Sequence, residues 1–153
     1  MSDAYSLWLV PSRKSTAYRE LQATIAELAT AYDTTEFEPH VTLLGGISGP
    51  VDRVLETTES LAEAHQALSL SLETIQCSTT RHQCVFAFVE ATLPLLSLRQ
   101  TAVREFGLRG EVYVPHLSLI YSDMPLGERF TVVDSLNRSS LPTAVLADEL
   151  AVV

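Results

Sequence analysis

The sequence predicts an α+β fold, on three observations. Some stretches alternate apolar and polar residues, others repeat apolar residues every three or four positions, and the order β-α-β-α-β occurs twice within 153 residues.

The first strand holds Tyr5, Leu7 and Leu9 in alternation with Ser6, Trp8 and Val10, and Pro11 ends it. Ser15 suits the cap of a helix running to about Tyr32, with Tyr18, Leu21, Ile25 and Leu28 on one face. A short extended segment, His40 to Leu44, is closed by the pair Gly45-Gly46. Pro50 fits the first turn of a second helix in which Val51, Val54, Leu55, Thr58, Leu61 and Ala62 recur at helical spacing. From Leu68 to Cys77 the period changes to two, the mark of a half-buried strand.

A polar connection, Ser78 to Gln83, leads into a β-rich run, Cys84 to Val89. Pro94 opens a third helix with Leu95, Leu98, Ala102, Val103 and Phe106 facing inward and Gly107 near its end. A second short strand runs from His116 to Tyr121. A weaker helical stretch covers about Gly127 to Leu136, and Ala144 to Val153 reads as a last strand. Ala151-Val152-Val153 stops in mid-strand, so a further strand follows or another element covers that edge.

One string occurs twice: Pro39-His40-Val41-Thr42-Leu43 and Pro115-His116-Leu117-Ser118-Leu119, with the histidines 76 positions apart, about half the chain. A lone His-x-Thr in an apolar strand is ordinarily a structural histidine. Two copies of the whole pattern have chance odds of about one in a million or lower from residue frequencies. In a strand, residues i and i+2 share a face, so His40 lies beside Thr42 and His116 beside Ser118, while Val41, Leu43, Leu117 and Leu119 turn to the core. The prolines fix φ and bias residues 38 and 114 to extended backbone. Two such units face to face can hold a phosphate. The hydroxyls of Thr42 and Ser118 donate to non-bridging oxygens. One neutral imidazole takes a proton from water and the other, protonated, gives one to the departing oxygen. Which histidine is base and which is acid is left open by the near-symmetry of the strings. This chemistry needs neither metal nor cofactor.

Composition narrows the rest. Apolar residues make up 46% and charged residues 19%, as in globular proteins, with a net charge of −9 and Lys14 as the only lysine. That balance argues against a non-specific nucleic-acid binder, and an anionic substrate would need a locally positive pocket. No apolar run reaches the roughly 20 residues of a membrane span. Met1-Ser2-Asp3-Ala4 offers no basic region ahead of an apolar stretch, so no secretory signal is expected. Cys77 and Cys84, with His82 nearby, fall short of a zinc set and read as two reduced thiols of a cytoplasmic protein, a local disulfide being the alternative.

With Tyr5-Ser6-Leu7-Trp8-Leu9-Val10-Pro11, Phe37-Glu38-Pro39-His40-Val41-Thr42-Leu43, Gln83-Cys84-Val85-Phe86 and Pro115-His116-Leu117-Ser118-Leu119-Ile120-Tyr121 in this order, the chain resembles the 2H phosphoesterase superfamily and, within it, the cyclic phosphodiesterase family. The likeness runs from residue 5 to about residue 150. It implies a bilobal, duplicated fold over residues 1–153, with two antiparallel sheets lining a central cleft, helices outside, and one motif from each of two pseudo-symmetric lobes. It also implies hydrolysis of ADP-ribose 1″,2″-cyclic phosphate to the 1″-phosphate and of nucleoside 2′,3′-cyclic phosphates to 2′-phosphates. His40 and His116 match the catalytic histidines, Thr42 and Ser118 the phosphate-holding hydroxyls, and Tyr121 an aromatic suited to stack on a base or sugar. Plant members carry more cysteines, of which only Cys84 has a counterpart here, and the resemblance implies a last family strand after residues 144–153 that is not expected here, which puts one sheet edge in question.

By parity Tyr121 would face the core unless the strand has ended before it. Trp8 reads as a core or cleft-lining aromatic whose indole N–H needs a partner if buried. Arg81, in a polar loop, reads as solvated, with contact to a substrate phosphate as its alternative. His65 reads as a partly exposed helix-face residue. The expected partner is a small cyclic phosphate on a nucleotide or nucleotide-sugar, with no stable nucleic-acid complex, no membrane, and a monomeric state. Two rivals remain: an RNA-end-processing enzyme of the 2′-5′ RNA ligase kind, which predicts a basic track into the cleft, and a non-catalytic nucleotide-binding module.

Overall fold

Ten elements follow one another in the expected order in the computed structural model, which describes residues 4–153. They are β1 (Ala4–Pro11), α1 (Thr16–Ala31), β2 (Val41–Ser48), α2 (Val51–Ala64), β3 (Leu68–Cys77), β4 (Val85–Val89), α3 (Leu93–Glu105), β5 (His116–Ile120), α4 (Leu126–Asn137) and β6 (Ala144–Val152). Met1, Ser2 and Asp3, on which the expectation about a leader rests, lie outside the described residues. Among the described residues no helix is long and apolar enough to cross a membrane.

Local chemistry explains where the helices start. The Ser15 hydroxyl accepts from the Tyr18 N–H and the Thr92 hydroxyl from that of Leu95, each filling one of the donors a helix leaves unpaired at its N-terminus. His65 closes α2 as its C-cap, its Nδ1–H donating to the Leu61 carbonyl at 2.8 Å, and it is partly exposed as expected. Of the apolar residues that recur at helical spacing in α2, Val51 and Leu55 are about half exposed. The buried stripe of α2 is narrower, Val54, Thr58 and Leu61; Leu55 lies off it and Val51 lies at its outer end.

The strands close into one ring in the order β1-β2-β5-β4-β3-β6, every neighbouring pair antiparallel. The α+β class holds, but the two separate sheets implied by resemblance give way to a single closed sheet. The physical reason is β6: it pairs with β1 over Leu7↔Val152 to Pro11↔Ala147 and with β3 over Leu68↔Ala147 to Ser71↔Ala144. The edge left in question by the sequence is therefore covered on both sides. The opposite joint, β2 to β5, is a single register pair, Val41↔Leu117.

The Gly45-Gly46 pair does not end β2. The strand continues to Ser48, with an extra residue between the pairs Tyr5↔Ile47 and Leu7↔Leu44, and Gly46 takes φ +68°. A bulge at a glycine tolerates that left-handed backbone, so the strand bends and stays paired. One face of the ring is apolar and meets all four helices, where Leu7, Val41, Leu43, Leu70, Leu117 and Leu119 are buried with Leu21, Ile25, Val54, Leu95 and Val132. Each fully buried aliphatic side chain there contributes about 1.5–3 kcal/mol. Cys77 and Cys84 are unlinked thiols, and burial pushes the Cys84 thiol up.

Candidate active site

The single β2–β5 pair builds the site. Val41 and Leu117 oppose each other and are fully buried, so their neighbours turn to the other face of the sheet. Continuing the antiparallel register places His40 opposite Ser118 and Thr42 opposite His116. The same four residues line one cleft of about 420 Å³, together with Thr80, His82, Gln83 and Tyr121. That volume lies within the range of small-molecule sites.

Two carbonyls fix the imidazoles. His40 Nδ1 lies 2.7 Å from the Glu38 carbonyl oxygen and His116 Nδ1 lies 3.0 Å from that of Val114. A carbonyl only accepts, so Nδ1 carries the proton in both and each Nε2 is left for the cleft. The proline between each histidine and its carbonyl, Pro39 or Pro115, holds the backbone extended for this i to i−2 contact. The first motif has a further anchor. The Glu38 carboxylate accepts from Arg13 at 2.9 Å and from the Tyr18 hydroxyl at 2.6 Å, and Arg13 also pairs with Glu149 of β6 at 3.1 Å. Burial, followed by the bond to Glu38, pushes the Tyr18 hydroxyl up to about 12.

Aromatic side chains flank the histidines. Trp8, paired with Thr42 across β1 and β2, stacks on His40 with ring centroids 3.5 Å apart and planes within 8°. Phe86, paired with Ser118 across β4 and β5, meets His116 edge-on at 5.3 Å. Tyr121 follows the last residue of β5 and so escapes the core parity; its ring stacks on Phe37 at 4.1 Å and its hydroxyl lies 3.4 Å from His40 Nε2. Burial raises the Tyr121 hydroxyl above its ordinary value.

Burial also breaks the symmetry between the histidines. His40 is 3% exposed, whereas His116 is only partly buried. Burial pulls the His40 imidazole down to about 4, against the bond to Glu38, which acts in the opposite sense. A histidine whose folded value lies below its unfolded 6.5 binds fewer protons when folded, so stability is full above about pH 6.5 and falls as pH drops toward 4. The loss from this group is on the order of 3 kcal/mol. Urea midpoints between pH 7.5 and 4 should show that decline in the parent and a shallower one in His40→Gln; parallel curves would remove His40 as its source.

The structure brings together His40, Thr42, His116, Ser118 and Tyr121, with Trp8 behind His40. It does not bring Arg81, which is exposed and paired with Asp123 at 2.7 Å. No lysine or arginine and no carboxylate is among the eight lining residues, so the basic track of an RNA-processing rival is not found there. Sequence reasoning missed Phe37, Thr80, Gln83 and Phe86 as neighbours of the site and gave His82 no role. For Phe86 a signal existed, since period-two alternation puts it on the face of β4 opposite to Val85 and Ala87. For the loop residues none did, because an irregular segment has no periodicity to read.

Thr42 and Ser118 differ in their surroundings. The buried Ser118 hydroxyl donates to the His82 carbonyl at 3.3 Å. The backbone next to Thr42 is held instead. The Thr42 carbonyl accepts from the Tyr113 hydroxyl at 2.7 Å and the Leu43 carbonyl from Arg99 of α3 at 2.7 Å, with the guanidinium 4.8 Å from the Tyr113 ring. These side chains occupy acceptors just past the Val41↔Leu117 pair, where β2 and β5 part.

A family model described as cyclic phosphodiesterase-like protein matches residues 1–140. A 2′,3′-cyclic-nucleotide 3′-phosphodiesterase of Yarrowia lipolytica is 29% identical, over 78% of this chain and 73% of that protein. A cyclic phosphodiesterase of Arabidopsis thaliana is 24% identical, over 83% of this chain and 70% of that protein. With a family match over most of its length and two histidine-hydroxyl pairs facing one cleft, the chain belongs to the cyclic phosphodiesterase-like family, and its enzyme class is that of the phosphoric diester hydrolases.

Proposed function

We propose that the chain hydrolyses nucleoside 2′,3′-cyclic phosphates to 2′-phosphates, and ADP-ribose 1″,2″-cyclic phosphate to ADP-ribose 1″-phosphate, by acid–base catalysis with His40 as base and His116 as acid. The observation that carries it is the square formed by His40, Thr42, His116 and Ser118 on one face of the sheet. The names of the two relatives support the cyclic phosphate as substrate.

Neutral His40 accepts the proton of a water as its oxygen attacks phosphorus. The ring P–O bond breaks, and protonated His116 gives its proton to the departing ribose oxygen. Thr42 and Ser118 hold the non-bridging oxygens, whose negative charge grows in the transition state. Burial of His40 favours the neutral form a base needs, and His116 stands in a more open position at the cleft. Product exchange with solvent resets both protons.

The test is product analysis on a panel of cyclic phosphates with and without EDTA. A 2′-phosphate or a 1″-phosphate, formed equally well with chelator present, is the expected result. Formation of the 3′-phosphate would reverse the bond assignment, and loss of activity in EDTA would replace the acid–base scheme with a metal-dependent one.

A further inference from the structure

His82 lines the cleft as a third histidine, and neither the proposed reaction nor the motifs give it a task. Its setting is unusual in charge. The protein carries −9, yet the eight lining residues include no fixed charge of either sign. Even a singly charged cyclic phosphate entering such a cleft needs a cation, and only imidazoles are present to supply one. His40, buried and serving as the base, is neutral, and His116 spends its proton in the reaction. His82 is the remaining source.

The loop that carries His82 is held rather than free. Arg129 of α4, 4% exposed, reaches under it and donates from Nη1 to the carbonyls of Ser78 at 2.7 Å and Thr80 at 2.6 Å. Its Nε and Nη2 donate to Met124 and Ser122, on the segment that follows Tyr121. The Ser122 N–H donates to the Arg81 carbonyl at 3.2 Å, and Arg81 pairs with Asp123 across the outside. At the cleft side the His82 carbonyl takes the Ser118 hydroxyl, and the His82 ring stands edge-on to Tyr121 at 5.2 Å. An exposed imidazole on a backbone fixed at this many points is pre-organised to meet a ligand.

We propose that His82 is a substrate-binding residue of the cyclic phosphodiesterase cleft, supplying positive charge to the bound phosphate compound beyond the two motif histidines. This rests on the proposed hydrolysis of cyclic phosphates. The charged and titratable groups around it are Arg81 on its own loop, Tyr121 and Asp123 on the segment after β5, Arg129 beneath, and His40 and His116 across the cleft. Arg81 and Asp123 largely offset each other as a pair, and Arg129 faces backbone carbonyls. A positive charge at His82 requires its protonated form, so binding strengthens as pH falls through the range from 8.5 to 5.5. The substrate's single phosphodiester charge stays constant across it.

The experiment measures KM and kcat of a nucleoside 2′,3′-cyclic phosphate from pH 5.5 to 8.5 for the parent, His82→Gln and His82→Lys. For the parent we expect KM to rise severalfold with pH. In His82→Gln, KM at pH 6 should be raised about fivefold to tenfold, with a smaller change in kcat and a flatter pH dependence. His82→Lys should restore tight binding at pH 8.5, which a purely structural role of His82 would not. Parent-like KM profiles in both variants would overturn the proposal. If the parent turns over no cyclic phosphate, the proposed reaction fails on its own. His82 is then judged by calorimetric binding of a nucleoside 2′-monophosphate at pH 6, where parent-like affinity in His82→Gln overturns it and weakened affinity supports it.

Discussion

Replacing His40 or His116 by alanine is expected to lower turnover of a 2′,3′-cyclic nucleotide by about 10²–10⁴ each, the usual worth of one positioned acid or base. The double variant should fall by less than the product of the two, because in the proposed scheme both groups act on one transition state. His40→Ala is the more informative. With the imidazole held near 4 by burial, the acidic limb of kcat/KM in the parent should lie near pH 4, well below an ordinary histidine, and should vanish in His40→Ala. Circular dichroism at pH 7.5 separates this from unfolding, since the variant also loses the stack on Trp8. A His40→Ala protein with parental turnover would end the base assignment, and full activity of His116→Ala would end that of the acid.

The largest effect on stability is expected at Arg129. Its guanidinium serves four carbonyls, those of Ser78, Thr80, Ser122 and Met124, and is buried with no carboxylate partner among the described residues. Arg129→Met fills much of the volume but strands those acceptors. A cost of about 3–5 kcal/mol follows, a large part of the 5–15 kcal/mol by which domains are typically stable. Arg129→Lys, with three donors for four acceptors, should fall between. Urea unfolding reads both. Amide exchange over residues 78–83 and 122–124 should quicken more than over β1 and β6. A Met variant within 1 kcal/mol of the parent would mean that these carbonyls find other partners.

Much of the fold was legible because its elements obey their own periods. The alternation in Leu68 to Cys77, the cap at Ser15 and the proline in the first turn of α3 need no tertiary information, and all ten elements form in the expected order. The motif pairs were legible for the same reason: i and i+2 share a face wherever the strand lies. What was hidden depends on partners distant in the chain. Closure by β6 turns on register with β1 and β3, which alternation does not encode. The unequal burial of His40 and His116 arises from Trp8, Phe37 and Tyr121 collecting around the first of two nearly identical strings. Arg129 was invisible because its acceptors are backbone carbonyls, which every residue has and no composition reveals. Tyr121 turned on whether β5 ends at Ile120, a boundary that sequence patterns fix only within a residue or two.

The closed ring also bears on how the protein behaves when concentrated. A sheet with a free edge offers a ladder of unpaired N–H and C=O groups onto which another chain can add a strand. Here β6 removes that ladder from β1 and β3, and at the joint held by the single pair Val41↔Leu117 the carbonyls of Thr42 and Leu43 are occupied by Tyr113 and Arg99. The gap beside the cleft therefore offers a foreign strand few free acceptors, which works against the strand addition that leads to amyloid-like assembly.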